Sequence, residues 1–212
     1  MQRLEDVLGK RDLKVLMGLE SPAKIQAFLD RIPYSADPIY RCPRRVLKDR
    51  KAHCYDGALF AAAALRRLGY PPLVLDMHAV RDDDHVLALY KQDGLWGAVA
   101  KSNFVGLRYR EPIYRTLREL VMSYFEAFFN VDREKTLRSY TVPLNMRTFD
   151  RLDWMVRDEA METVAQRLDE IRRIPLLSEG SIQGLSLTDE RSYRAGMQGV
   201  NPAGLYKPSR KS

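Results

Sequence analysis

The sequence predicts an α+β fold in which one buried helix lies on a small antiparallel sheet, and three observations predict it. CYDGALFAAAALRRLG, beginning at Cys54, is alanine-rich and apolar around most of its circumference, the pattern of a helix covered on nearly every side. LVLDMHAV, HVLALYK and LWGAVAK follow as short strands, the last two separated by Gln92-Asp93-Gly94, whose Asp-Gly pair favours a hairpin. Segments on both sides of this block show helical periodicity, so helices flank the layer at its N- and C-terminal ends.

The first fifty residues read as helices broken by proline. Val7, Leu13, Leu16, Met17 and Leu19 form an amphipathic opening helix, and Ser21-Pro22 is a cap followed by a first-turn proline ahead of KIQAFLDRI. Pro33, Pro38 and Pro43 make the next stretch a loop, and a short helix from about Pro43 leads into the buried one. Gly69 stops the buried helix, and Pro71-Pro72 prevents its continuation. After Asn103 the pattern turns helical again. IYRTLRELVMSYFEAFFN carries an aromatic stripe of Tyr114, Tyr124, Phe125, Phe128 and Phe129, a core pattern, and DRLDWMVRDEAMETVAQRLDEIRRI is a second helical block. TLRSYTVPL between them is a strand or an extended crossing. The expected organisation is a single domain over 1–177 with a helical C-terminal extension from about residue 110, then a loosely structured tail over 178–212.

With 212 residues, 45% apolar and 30% charged, the chain can bury one sizeable core, which excludes a disordered or fibrous protein and a repeat array. No apolar run approaches the roughly 20 residues that cross a bilayer. MQRLEDVLGKRDLKVLMGLE mixes charge into every turn, unlike a signal peptide, so the expected location is cytoplasmic. Two cysteines, Cys42 and Cys54, exclude a disulfide framework and a four-cysteine metal site. The net charge of +7 favours an anionic partner only where it gathers on one surface. Arg41, Arg44, Arg45, Lys48, Arg50 and Lys51, opposed by Asp49 alone, are the candidate for that; a solvated helix face is the simpler reading, and nucleic acid is not the expected ligand.

Chemistry is expected at Cys54. A cysteine in the first turn of a buried helix sits where unpaired N–H groups and the helix dipole favour negative charge, which moves a thiol toward thiolate. His85 opens a strand directly after Asp82-Asp83-Asp84 and is the natural base for the thiol proton. If that strand neighbours the helix, the two meet at one end of the layer, and the backbone N–H of Cys54 becomes an oxyanion donor. Cys42 reads as structural, His53 points elsewhere from the helix start, and His78 lies within a strand with no obvious partner. A metal site from Cys54, His53, His85 and the acidic turn lacks ligand spacing, and no phosphate-binding glycine loop is present.

The order AHCYDGALFAAAALRRLGYPPLVL, DDDHVLALY, DGLWGAVAKS resembles the transglutaminase-like branch of the papain-like cysteine enzymes. The likeness covers roughly Lys51 to Asn103 and rests on Cys54 heading an alanine- and leucine-rich helix, the exit RRLGYP, His85 opening a strand, and Trp96 on the next strand. It implies a papain-like, transglutaminase-like core, acyl transfer through a thioester on a protein or peptide amide, and no cofactor. The family's orienting aspartate falls four residues beyond the tryptophan, where this chain has Ala100. Ser102, Asn103, or Asp83 and Asp84 from the turn, are the candidates to replace it, since a third group holds the imidazole's tautomer and orientation. The missing acid also favours a rival reading, a non-catalytic module of the same scaffold that binds an anionic or protein partner through Arg41 to Lys51.

Overall fold

The computed structural model describes residues 3–207. Its N-terminal third is helical, with α1 (Lys10–Met17), α2 (Pro22–Arg31), α3 (Pro43–Asp49) and α4 (Cys54–Arg67). Ser21 caps α2 by accepting the Lys24 N–H at 3.2 Å, as Ser-Pro at a helix start predicts. An antiparallel meander follows: β1 (Leu73–Ala79), β2 (His85–Gln92) and β3 (Leu95–Val99). Asp93 and Gly94 both take positive φ, 50° and 81°, which closes the two-residue hairpin between β2 and β3.

The sheet is wider than the meander. The C-terminal half supplies β4 (Arg110–Tyr114), β5 (Leu137–Thr141), β6 (Leu144–Asn145) and β7 (Arg173–Pro175), giving the order β4-β3-β2-β1-β5-β7 with β6 also on β1. Every pairing is antiparallel. The two helical blocks expected after Asn103 are correspondingly shorter: α5 is only Leu117–Met122, and α6 is Glu159–Glu170. Tyr124, Phe125, Phe128 and Phe129 are buried as their spacing suggested, yet irregular chain and a short 3-10 turn present them. Bulky aromatics have modest helix propensity, and the sheet's uncovered face draws them in singly. Residues 178–207 hold two further short helices, α7 (Glu179–Gln183) and α8 (Glu190–Gly196), started by Ser178 and Asp189 caps. Phe129 against the Tyr193 ring, 5.6 Å between centroids, pins this segment to the core. No helix among the described residues is long and apolar enough to cross a membrane.

Alternation along β2 divides the core in two. Val86, Ala88 and Tyr90 face the cluster built on α4, whereas Leu87 and Leu89 face a second cluster with Leu120, Tyr124 and Phe128. Alanines let α4 lie close to the sheet. The closest approach is at Gly57, where an added Cβ would stand 2.2 Å from the Cβ of Lys101. Lys101 itself is buried, and its Nζ donates to the carbonyls of Leu29 (2.8 Å) and Ile32 (2.6 Å) at the end of α2, so it has no room to withdraw. Gly57→Ala is therefore expected to destabilise the fold by about 1–3 kcal/mol although alanine is the better helix former. A urea midpoint equal to or above that of the parent would contradict this packing account.

Candidate active site

Cys54 takes its place from a network heading α4. His53 is the cap: its Nδ1 accepts the Asp56 N–H at 3.4 Å, and Asp56 returns Oδ2 to the His53 N–H at 3.4 Å. Asp56 is fully buried, accepts the Arg41 N–H at 2.8 Å, and has the Arg41 guanidinium 3.6 Å away. Burial outweighs that cation and raises the Asp56 carboxyl to about 7. The His53 ring is lowered to about 4, chiefly by burial and then by Arg41, so it is neutral and supplies no positive charge to the thiol.

The basic stretch does not form an open patch, which corrects the expectation of an anionic-partner surface from Arg41 to Lys51. Arg41 is buried among Asp37, Asp49 and Asp56. Arg45 pairs with Asp49 and Asp158, Arg50 with Asp12, and Lys51 with Asp37. Carboxylates distant in sequence fold back onto these cations, leaving Arg44 and Lys48 as the exposed remainder.

Cys54 and His85 line one small cavity of about 30 Å³, together with Tyr34, Leu107 and Phe128. They reach it from different directions. The Cys54 thiol comes from the α4 side and donates to the Asp84 carbonyl at 3.7 Å. His85 lies on the face of Leu87, edge-on to Phe128, and its Nε2–H donates to the carbonyl of Leu107 at 2.8 Å. No hydrogen bond joins sulfur to imidazole. Burial pushes the Cys54 thiol up to about 12, with Asp76 and Asp83 adding to the rise and the Val86 N–H opposing it. Burial likewise lowers His85 to about 4, so the resting pair is thiol and neutral imidazole; the helix start does not produce a thiolate here.

Ser102 and Asn103 line the same cavity with their polar atoms engaged elsewhere. Ser102 Oγ accepts the Phe104 N–H at 3.0 Å, closing a local turn. Asn103 holds the C-terminal segment: its Oδ1 accepts the Asn201 N–H at 2.8 Å, and its Nδ2 donates to the carbonyls of Asn201 and Gly204 at 3.0 and 3.1 Å. Asp84 does not reach the His85 ring either. Its Oδ2 lies 2.8 Å from Nδ1 of His78 and its Oδ1 accepts the Ala79 N–H, so His78 has a partner that its strand position did not suggest. Ala100 is buried, with its backbone N–H and C=O both bonded to the Gln26 side chain. The Leu107 carbonyl is the contact that sequence reasoning missed, and no side-chain pattern could have marked it.

Outside this cavity a cleft of about 440 Å³ opens onto Cys54, walled by Tyr34, Tyr40 and Tyr55 and closed on one side by Ala203 to Tyr206.

The site is a thiol heading a buried helix, beside an imidazole that opens the adjacent strand of an antiparallel sheet, in an α+β layer. Two solved structures of LapG from Legionella pneumophila are similar to this chain. The EGTA-treated form matches 74% of this chain and 94% of its own at 12% identity and a TM-score of 0.40. The other matches 47% of this chain and 66% of its own at 15% identity and a TM-score of 0.35. No family model and no curated protein matches the chain.

Proposed function

We propose that the chain is a cysteine-dependent amide or isopeptide hydrolase or acyltransferase of transglutaminase-like type, working through a thioester on a protein or peptide. The observation that supports it is the 2.8 Å bond from His85 Nε2 to the Leu107 carbonyl. A carbonyl accepts only, so Nε2 carries the proton and Nδ1 is bare, the tautomer a general base needs. Leu107 thus stands in for the acid absent at Ala100, with a dipole in place of a full charge.

As the sulfur attacks the substrate carbonyl carbon, the thiol proton passes to His85 Nδ1 and the first-turn N–H of Cys54 faces the developing oxyanion. The C–N bond then breaks, His85 returns the proton to the departing amine, and water or a second amine resolves the thioester. Ser102 shapes the turn beside the imidazole, and Asn103 keeps the 201–204 segment as a wall of the site.

The neutral resting pair and the Asp84 contact of the sulfur favour a second reading, a scaffold that has lost catalysis. Alkylation of Cys54 by iodoacetamide, followed by mass spectrometry against pH, separates them. General-base assistance gives a rate that levels above about pH 5, where His85 is unprotonated. His85→Ala should convert this to a rate rising about tenfold per pH unit, as an unassisted thiol raised to about 12 requires. Indistinguishable profiles for parent and variant would leave only the scaffold reading.

A further inference from the structure

The cleft leading to Cys54 has an unusual charge balance. Asp37, Asp76, Asp83, Asp84 and Asp169 line it, and among the described residues no lysine or arginine does. Three of these carboxylates are already engaged, Asp37 by Arg41 and Lys51, Asp84 by His78 and the Ala79 N–H, and Asp169 more loosely by Arg173. Asp76 is not. It projects from the central strand β1, is 4% exposed, and its Oδ1 is buried without a hydrogen-bond partner. Arg173 is the cation whose charge partly offsets the burial of Asp76. It lies 4.0 Å from Asp169, makes no hydrogen bond to Asp76, and has its own Nε unpartnered. A buried carboxylate oxygen without a partner, on a residue that lines a ligand-sized cleft, is a costly arrangement unless a donor reaches it.

The walls point to the kind of donor. Tyr40 and Tyr55 are 4.8 Å apart between centroids, Tyr40 stands edge-on to His53 at 5.7 Å, and the Tyr55 hydroxyl is tied to the Met161 carbonyl at 2.6 Å. Fixed aromatic faces beside carboxylates suit an organic cation, which gains from both ring and charge. Among the described residues no three His, Cys, Asp or Glu side chains are grouped closely enough to hold a metal ion.

We propose that this cleft selects a substrate side chain bearing an ammonium or guanidinium group next to the bond that Cys54 attacks, with Asp76 as its anchor. The proposal rests on Cys54 being the nucleophile and adds the substrate class: peptides with lysine or arginine flanking the scissile amide. Asp169 and the exposed Asp83 extend the negative field toward solvent, and the tyrosine wall offers apolar surface to the alkyl stem.

Two measurements on the full chain test it without needing turnover. In the first, Cys54 is modified by methanethiosulfonates carrying an aminoethyl, a methyl or a sulfonatoethyl group; the sulfur displaces methanesulfinate and forms a mixed disulfide, read by mass spectrometry. With rates normalised to a free cysteine peptide, the cationic reagent should exceed the anionic one by about tenfold or more, and Asp76→Asn should remove most of that preference. In the second, Cys54→Ala is titrated with N-acetyl-lysine methylamide and its neutral norleucine analogue, followed by NMR. The lysine compound should bind at least about tenfold more tightly, and Asp76→Asn should equalise the two. Equal normalised rates, equal binding, or a preference unmoved by Asp76→Asn would overturn the proposal. Charge selection that persists while alkylation proves independent of His85 would sink the catalytic reading alone; the reverse result would sink this one alone.

Discussion

Replacing Arg41 with alanine is expected to destabilise the fold by about 3–5 kcal/mol, the range for removing one partner of a buried ionic network. The guanidinium is 2% exposed and binds Asp49 Oδ2 at 3.0 Å, Ser35 Oγ at 3.0 Å and Asp37, with Asp56 Oδ2 3.6 Å away. Its loss strands Asp56, which is fully buried and already raised to about 7 with the cation in place. The pH dependence has a definite sign. Without Arg41 the folded-state pKa of Asp56 rises further, so its contribution is retained at low pH, where the group is neutral, and is lost as pH rises through that raised value. The defect measured by urea unfolding should therefore be larger at pH 8 than at pH 5. A defect independent of pH would assign the loss to packing, and Arg41→Met, which keeps an apolar stem, measures that share directly. Because Asp56 also completes the cap with His53, the same variant should loosen the first turn of α4, and Cys54 with it.

The parts of this architecture that depend on local sequence were legible before the fold. The Cys54 helix, its Gly69 stop, the Ser21 cap and the Asp93-Gly94 hairpin are set by periodicity and by residues that each satisfy a local backbone demand, and the structure has all four. The outer strands were not. β4 contains Pro112 and leaves Ile113 64% exposed at the sheet edge, β7 is three residues long, and both exist because a neighbouring strand pairs with them. The charges were misread for a related reason. Arg41 to Lys51 looks opposed by Asp49 alone along the chain, but Asp12, Asp56 and Asp158 reach it from 5 or more residues away in sequence, which no linear count reveals. At the site, the residue types of Cys54 and His85 could be picked out, and the cavity they line bears on both. The partner of the imidazole is a main-chain oxygen, so side-chain identity carried no trace of it.

Asp76→Asn is expected to stabilise the protein at pH 8 while leaving it nearly unchanged at pH 4. Burial, reinforced by the neighbouring Asp84 and only partly offset by Arg173, raises the Asp76 carboxyl from 3.8 to about 7. An acid with a raised folded-state pKa contributes stability that is intact below its unfolded value and is lost as pH rises through the folded one. Ionisation of Asp76 thus works against the fold between about pH 4 and 7, by on the order of 4 kcal/mol at roughly 1.4 kcal/mol per unit. An amide of the same shape escapes that penalty, so the gain should appear across this window and level above it. Urea unfolding of parent and variant at pH 4, 6 and 8 measures it, and an equal gain at all three would show that ionisation is not the cause. The opposite signs are the informative part: the substitution that relieves the fold is the one that should abolish discrimination for a cationic guest. A strand position that holds an ionisable group against its own stability, with an unpartnered buried oxygen on a residue lining a cleft beside a thiol, follows the pattern of a residue kept for binding rather than for folding.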